Sequence, residues 1–452
     1  MVKNDTFHLK RICAFIVITA LILLTGGCER PDSPVGESRF AGTVRGALNG
    51  GAVQTELNNP GQESAEVLSA GVTAKGRSAS GDSDGSVSGD AITDGDPDGR
   101  HLELWTYDKA HIEYYRKLLT QWNDQDPDYT LEITFNTYPY DELHEKLIES
   151  LRSGEGAPDI CDVDAYRFAE VSEGLDKWLY PLDVALAPYR YDVHVARVDV
   201  YKGTNDKRYG VPFRMGAAVQ YWNLEALEQA GITQKDIDAV VTWEDFSALG
   251  EKYIDSPEAS GKYFTAVDED SPVLPMLAVA EYSEETENPV DAADEMRTLY
   301  QGWIDSGTAK KSEDLSHEIK SGNIVSFAES LAYMDRFVDD MHDESGKWYI
   351  TKCPVFAEGQ PCSVCLDDTV TVITAESRYA SLAADFICFS KLYTDNAKSI
   401  LWPDLSYDVC NTSLWEDEEF AHDVTNEYNT FFRSYPYDVL KEIKDRIATV
   451  KP

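Results

Sequence analysis

The chain has 452 residues, of which 81 are Asp or Glu and 40 are Lys or Arg, so its formal net charge is −41. Such a chain repels a phosphate backbone, because nucleic-acid binding depends on Lys and Arg that neutralise phosphates. Nucleic acid is therefore excluded as an expected partner. The length, together with 9 Trp, 25 Tyr and 16 Phe, allows two or three domains with sizeable cores.

The start of the chain has the pattern of an export signal. Basic residues precede an apolar stretch over 12–24, and small residues then lead to Cys28. The apolar stretch is shorter than the ~20 residues that a membrane-spanning helix needs. The segment before Cys28 resembles a bacterial lipobox, in which the cysteine is lipidated and the preceding peptide is removed. We expect 1–27 to be a lipoprotein signal peptide and Cys28 to be the lipidation site, which anchors the protein to the cell membrane on its extracytoplasmic face.

The next segment has the composition of a tether. Residues 28–100 are rich in Gly, Ser and Asp, and Phe40 is the one aromatic residue among them. Such a segment buries too little apolar surface to offset its ordering entropy. We predict a disordered tether over 28–100, with an end-to-end distance of roughly 45 Å. The folded, solute-binding part is predicted over 101–452.

Strand and helix patterns alternate at the start of this folded part. In chain order the predicted elements are a strand over 102–107, a helix over 111–123, a strand over 130–136, a helix over 140–153 and a strand over 159–163. This alternation is typical of α/β proteins with a parallel sheet. Further helices are predicted over 224–230, 243–254, 292–306 and 379–392. Thr242 and Asp245 form a capping-box pattern at the start of the helix over 243–254.

An ordered set of short motifs follows the alternating region. It comprises Tyr-Gly-Val-Pro at 209–212, Trp-Asn at 222–223, Ala-Gly-Ile at 230–232, Thr-Trp-Glu-Asp-Phe at 242–246, and earlier Ala-Pro-Asp-Ile at 157–160. Behind a lipobox, this set resembles the extracellular solute-binding proteins, family 1, of ABC importers, and the resemblance runs from about residue 102 to the C-terminus. It implies a periplasmic-binding-protein-like α/β fold with two discontinuous α/β lobes joined by hinge strands.

The resemblance also implies where the lobes divide. Lobe 1 is expected over about 101–213 and 354–400, and lobe 2 over about 214–353 and 401–452. The expected partners are a small-molecule solute, most simply a sugar, and the ABC permease subunits in the membrane. We expect a monomer.

Candidate ligand-binding residues stand at strand ends or in loops that are expected to face the cleft between the lobes. Sugar sites combine flat aromatic faces with carboxylate, amide or guanidinium groups, and few polar groups fix the orientation of a ligand. The candidates are Trp105, Tyr107, Asp164, Tyr166, Arg214, Glu329, Asp367, Asp368 and Trp415. Core packing is the alternative for the aromatic residues, and a solvated surface is the alternative for the carboxylates. The acidic pair at 367–368 suits either sugar hydroxyls or a cation.

The chain contains one cysteine motif that could suggest a metal or redox site. Cys362 and Cys365 form a CxxC pattern with Cys353 upstream, but a structural zinc site needs four ligands and no second CxxC or suitably spaced His pair is present. No HExxH, GxSxG or Walker loop occurs either. We predict no cofactor, no metal site and no catalytic residues.

These observations lead to one main hypothesis. The chain is expected to be the lipid-anchored, extracellular solute-binding component of an ABC importer, which binds a carbohydrate or oligosaccharide between two lobes and delivers it to a permease. The alternatives are a binder of a cationic solute, such as a polyamine or a metal complex, and a secreted glycan hydrolase. The segment 326–331 lacks the stacking tryptophan that several sugar binders carry there, which keeps the cationic alternative open.

Overall fold

A computed structural model describes residues 91–125, 127–282, 288–366 and 369–451. The predicted signal peptide, Cys28, the tether up to residue 90 and the acidic pair Asp367 and Asp368 lie outside the described residues. Within the described ranges, no helix combines the length and apolar character needed to cross a membrane.

The strands form two main sheets and a small two-stranded one. They are β1 Ile92–Gly95, β2 Arg100–Thr106, β3 Leu131–Thr137, β4 Ile160–Asp164, β5 Val211–Pro212, β6 Ala218–Asn223, β7 Tyr263–Val267, β8 Ala309–Lys311, β9 Ile324–Ser330, β10 Trp348–Thr351, β11 Ser363–Val364, β12 Thr369–Ile373 and β13 Ile447–Ala448. The first sheet has the order β1-β3-β2-β4-β12-β5, the second has the order β10-β6-β9-β7-β8, and β11 pairs with β13. In the first sheet β2 is parallel to β3 and β4, whereas β12 is antiparallel to β4 and β5.

Helices cover the sheets and connect the strands. Those of five residues or more are α1 Lys109–Asp124, α2 Tyr140–Ser153, α3 Val195–Asp199, α4 Leu224–Gln229, α5 Gln234–Asp238, α6 Trp243–Ile254, α7 Val273–Ala280, α8 Pro289–Asp305, α9 Leu315–Lys320, α10 Met334–Asp340, α11 Ala380–Leu392, α12 Glu427–Phe431 and α13 Pro436–Ile443. Shorter α-helical turns are Phe168–Val171, Asp183–Leu186, Thr394–Asn396, Trp402–Leu405, Thr412–Trp415 and Glu418–Ala421, and Ala397–Leu401 is a π-helical turn.

Local sequence signals explain the bounds of the main helices. In α6 the Thr242 side chain accepts from the Asp245 amide while the Asp245 side chain accepts from the Thr242 amide, so the predicted capping box is confirmed. Gly154 ends α2 with a φ of 74°, a left-handed conformation that glycine adopts without a Cβ penalty. The alternating strands and helices of the first sheet and the separate second sheet confirm the predicted α/β fold with two lobes.

The predicted boundary between tether and folded domain, at residue 100, is wrong. Strand β1 lies inside the predicted tether and pairs antiparallel with β3, with Ile92 opposite Phe135. The Asp94 carboxylate also lies 2.6 Å from the Arg116 guanidinium of α1. A four-residue edge strand is stabilised by pairing with its partner strand and not by its own composition. The Gly- and Asp-rich sequence of β1 therefore did not predict a strand.

The chain passes between the two sheets at identifiable places. It leaves the first sheet at Pro212 and enters the second at Ala218, and it returns to the first sheet at Thr369 after β10 and β11. The first sheet therefore draws its strands from separate parts of the chain. The exact residue limits of the two lobes stay predictions.

Candidate functional site

Two parallel strands of the first sheet end on the same side of the sheet, and we call this side the carboxyl-terminal edge. Strand β2 ends at Thr106 and β4 ends at Asp164, and Thr369 of β12 pairs with Asp164 there. The Tyr107 hydroxyl lies 2.6 Å from the Thr369 hydroxyl. Ligands of α/β proteins bind outside the carboxyl ends of the strands. The structure thus brings two predicted site residues, Tyr107 and Asp164, to one edge that suits binding.

The start of helix α2 packs beneath this edge. The Tyr140 ring meets the Tyr107 ring edge-on, with centroids 5.3 Å apart, and the His144 ring lies 5.6 Å from Tyr107. His144 Nδ1 lies 2.7 Å from the Tyr140 carbonyl oxygen, and its Nε2 accepts from the Asp164 amide at 3.0 Å. Burial lowers the pKa of His144 to about 4, so a neutral ring with a proton on Nδ1 holds Asp164 in place.

Tyr166 completes the group that we call the edge cluster, namely Tyr107, Tyr140, His144, Asp164 and Tyr166. Tyr166 is half-buried, and its amide donates to Asp164 Oδ1 at 2.8 Å. Burial raises the pKa of Tyr140, and the negative charge of Asp164 adds to the effect. Sequence reasoning missed Tyr140 and His144, although their spacing of four residues places both on one face at the start of a helix.

Arg214 lies just after the chain leaves the first sheet, with only 2% of its surface exposed. Its Nε donates to Asp408 Oδ1 at 2.9 Å, and its Nη1 donates to Asp335 Oδ2 at 2.8 Å. The guanidinium carbon lies 4.4 Å from the centroid of the Tyr407 ring. Arg214, Asp335, Tyr407 and Asp408 are called the hinge cluster below.

Further contacts fix the backbone around Arg214. Asp408 Oδ2 accepts from the Gly216 amide at 2.9 Å, and the Arg214 carbonyl accepts from the Arg197 guanidinium at 2.7 Å. Burial raises the pKa of Asp408, although Arg214 and the Gly216 amide favour its charged form. The described contacts of Arg214 are therefore to protein groups, and they give it a positioning role between distant parts of the chain. Its predicted contact with a ligand stays a prediction.

Sequence reasoning missed Tyr407, which stands next to Asp408, the ion-pair partner of Arg214. Its ring is half-buried, and its hydroxyl lies 3.1 Å from His111 Nε2. His111 Nδ1 in turn lies 3.0 Å from the buried Asp162 carboxylate. Tyr407 therefore links the hinge cluster to the interior of the first sheet.

Glu329 belongs to the second sheet rather than to the edge cluster. It is the penultimate residue of β9, stands opposite Val219 of β6, and is buried. Its Oε1 accepts from the Ser330 amide at 2.9 Å.

The two predicted tryptophans pack in the interior. Trp105 is 2% exposed, donates from Nε1 to Glu103 at 2.7 Å, and meets Tyr138 edge-on at 5.1 Å. Trp415 is 1% exposed, and its Nε1 donates to the Val409 carbonyl at 2.9 Å. Neither ring presents a face to solvent, because neighbouring elements cover both. This burial favours core packing, the alternative given for both residues, and their contact with a ligand stays a prediction.

The cysteines of the described ranges, including Cys353, Cys362 and Cys365, are buried and form no disulfide with one another. Burial raises the pKa of the Cys353 thiol well above its ordinary value and that of Cys362 to about 11. Among the residues that the structure describes, no group of three or more His, Cys, Asp or Glu is arranged to hold a metal ion. The edge cluster, with half-buried rings beside a fixed carboxylate, is instead suited to holding a polar solute.

Comparison with known proteins gives the same fold and identifies a family. A family model described as bacterial extracellular solute-binding protein matches residues 109–389. The arabinooligosaccharide-binding protein of Halalkalibacterium halodurans is 29% identical over 365 residues, which cover 77% of this chain and 79% of that protein. The protein of the same name from Bacillus subtilis is 28% identical over 365 residues, with coverage of 77% and 82%.

Solved structures show the same architecture. The cyclic alpha-maltosyl-1,6-maltose binding protein of Arthrobacter globiformis superimposes with a TM-score of 0.63 at 16% identity, over 78% of this chain and 88% of that chain. The galacto-N-biose/lacto-N-biose I-binding protein of Bifidobacterium longum gives a TM-score of 0.59 at 18% identity, over 79% and 89%. Since the family model covers more than half of its length, the chain belongs to the bacterial extracellular solute-binding proteins.

Proposed function

We propose that the chain is the lipid-anchored solute-binding component of an ABC importer and that it binds an oligosaccharide between its two lobes. The observation that carries the proposal is the edge cluster, in which Tyr107, Asp164 and Tyr166 stand together at the ends of β2 and β4. Aromatic faces suit the apolar side of a sugar ring, and a carboxylate accepts from sugar hydroxyls. The names of the two relatives favour an oligosaccharide of arabinose.

The binding step follows from the two-lobe architecture. A solute that contacts both lobes favours the arrangement in which both contacts are made, through its differential affinity for the two states. The hinge cluster is placed to limit the arrangements that the lobes can adopt. The solute-bound form then docks on the permease. We propose a monomer without enzymatic turnover.

The anchor is part of the same proposal. Two acyl chains on Cys28 hold a protein stably at a membrane, whereas one binds only reversibly. A flexible segment after Cys28 then allows capture away from the bilayer and delivery to it. Detergent phase partitioning of the full-length protein tests this part. The wild type is expected in the detergent phase and a Cys28→Ala variant in the aqueous phase, and equal partitioning of both contradicts the anchor.

Isothermal titration calorimetry of the Cys28→Ala protein tests the ligand. Arabinooligosaccharides, maltooligosaccharides and spermidine are titrated in parallel, and saturable heat is expected with arabinooligosaccharides. The Tyr107→Ala variant serves as the site control and should bind the same sugar about 5- to 30-fold more weakly. Heat from spermidine alone would contradict the carbohydrate assignment and support a cationic solute. Chromatography of the sugar after incubation checks for turnover, and none is expected.

A further inference from the structure

Lys391 is a buried cation that contacts the connection between the two sheets. It lies in α11 and is 1% exposed. Its Nζ donates to the Val211 carbonyl at 3.1 Å, is hydrogen-bonded to Thr371, and lies 3.4 Å from the centroid of the Phe213 ring. Val211 belongs to β5, and Phe213 is the residue after this strand. One ammonium group therefore contacts the chain on both sides of Pro212, where it leaves the first sheet.

The surroundings of Lys391 do not fully compensate for burying its charge. The titratable and charged groups that face it or its contact partners are Asp162 of β4, His111 and Tyr115 of α1, Cys388 of α11, Cys410, and Arg197 of α3. Burial outweighs the attraction of Asp162 and lowers the pKa of Lys391 to about 7. The ammonium thus gives up its proton within the physiological pH range.

Asp162 is shared among several partners rather than dedicated to Lys391. Its carboxylate is hydrogen-bonded to His111 at 3.0 Å, to Tyr115 at 2.9 Å and to Thr371. Burial alone would raise the pKa of Asp162, but the hydrogen bond from His111 and the nearby positive charges hold it below its usual value. Asp162 therefore remains charged when Lys391 loses its proton.

The loss of that proton affects the hinge cluster because it weakens the contacts of Lys391 with Phe213 and Val211. A neutral amine has no cation–π attraction for the ring and is a weaker donor to the Val211 carbonyl. The His111 ring stacks on the Phe213 ring with centroids 4.0 Å apart, and His111 bonds to Tyr407. A chain of direct contacts therefore runs from Lys391 through Phe213 and His111 to Tyr407.

We propose that Lys391 makes the arrangement of the two lobes pH-dependent, because its ammonium form restrains the connection at 211–213 and its neutral form releases it. This inference rests on the proposed movement of the lobes, but it does not depend on which solute binds. The restrained arrangement is the one that the structure describes. Acid should therefore favour it, and alkali should populate a broader range of arrangements.

Distances between spin labels on the two lobes test the inference in the full-length chain carrying Cys13→Ala and Cys28→Ala, which removes the cysteines outside the described ranges. The labels are placed at Glu145→Cys in α2 and Lys235→Cys in α5, which are exposed, whereas the cysteines of the described ranges are buried. The distance distribution is measured at about pH 6 and about pH 9, on either side of the Lys391 transition. The wild type should give a distribution roughly twofold broader at the higher pH. Lys391→Met, which keeps the length of the side chain without a charge, should give the same width at both.

The controls separate this role from a purely structural one. Lys207→Met removes an exposed lysine that pairs with Asp176 at 2.7 Å, and it should leave the pH response unchanged. Phe213→Leu keeps Lys391 but removes the ring, so it should reduce the response even if Lys391→Met does not fold. A wild-type distribution that is the same at both pH values overturns the inference, and so does a response that persists in Lys391→Met. Arabinooligosaccharide is added in a separate arm, where an absence of change contradicts the proposed function and leaves the pH comparison intact.

Discussion

The edge cluster and the hinge cluster both combine aromatic rings with carboxylates, but they differ in how far these groups are buried and in what they contact. At the edge, Tyr107, Tyr166 and Asp164 are half-buried, and the neutral His144 ring accepts from the Asp164 amide and packs against Tyr107. At the hinge, the Arg214 guanidinium is buried, and two carboxylates and a ring surround it. Half-buried groups on a fixed scaffold can still exchange water for a ligand, whereas a buried ion pair mainly determines which conformations are accessible.

This difference shows why residue type alone is a poor guide to a binding site. Arg214 and Trp415 have side chains that bind sugars in many proteins, yet here one pairs with buried carboxylates and the other packs in the interior. The predictions below test whether the edge cluster governs affinity while the hinge cluster governs stability.

The largest effect is expected at the hinge. Arg214→Met leaves the Asp408 carboxylate, only 1% exposed, without its counter-charge. Breaking a buried ion pair by removing one partner costs about 3–5 kcal/mol, so the free energy of unfolding in urea should fall by that amount. Lys207→Met, which breaks an exposed pair, is the matched control and should cost about 0–1 kcal/mol. Equal losses in both variants would remove the distinction between the clusters.

The second prediction concerns the pH dependence of stability at the edge. His144 has a pKa of about 4 in the folded chain, below its ordinary value of 6.5. Between these values the unfolded chain takes up a proton that the folded chain does not, so stability falls as the pH falls through this window. The contribution is at most roughly 3.5 kcal/mol, since each unit of pKa corresponds to about 1.4 kcal/mol.

Urea unfolding of the wild type and His144→Gln at several pH values measures this effect. The variant cannot titrate, so its deficit relative to the wild type should shrink as the pH is lowered from about 6.5 to about 4. His101→Gln, at an exposed histidine of β2, is the control and should follow the wild type. A deficit that stays constant with pH would mean that His144 titrates alike in both states, and thus that it is not held neutral beneath Asp164.

Much of the local structure was predictable from sequence because its causes are local. Helix α6 has its predicted bounds because Thr242 and Asp245 cap it, and α2 has its predicted bounds because Gly154 ends it. The edge strand β1 was not predictable from its own composition, since β3 supplies its hydrogen bonds.

The candidate site was predictable only in part, for the same reason. Tyr107 and Asp164 follow directly after strands, so the rule that ligands bind at strand ends places them at one edge. The hinge contacts join residues far apart in the chain, such as His111 with Tyr407 and Arg214 with Asp408, and no local pattern reveals them. Which face of Trp105 or Trp415 is covered likewise depends on tertiary packing.

The smallest effect is expected from a pair of substitutions that separates affinity from stability. Tyr107→Ala removes a half-buried ring whose hydroxyl bonds to Thr369, and loss of a central aromatic contact should weaken arabinooligosaccharide binding by ~1–2 kcal/mol, or about 5- to 30-fold in Kd. Trp415→Phe keeps an interior ring but loses the bond to the Val409 carbonyl, so it should cost ~1 kcal/mol of stability with little change in Kd. Calorimetry and urea unfolding of both variants give the comparison. If Trp415→Phe weakens binding more than Tyr107→Ala does, the solute is bound away from the edge cluster.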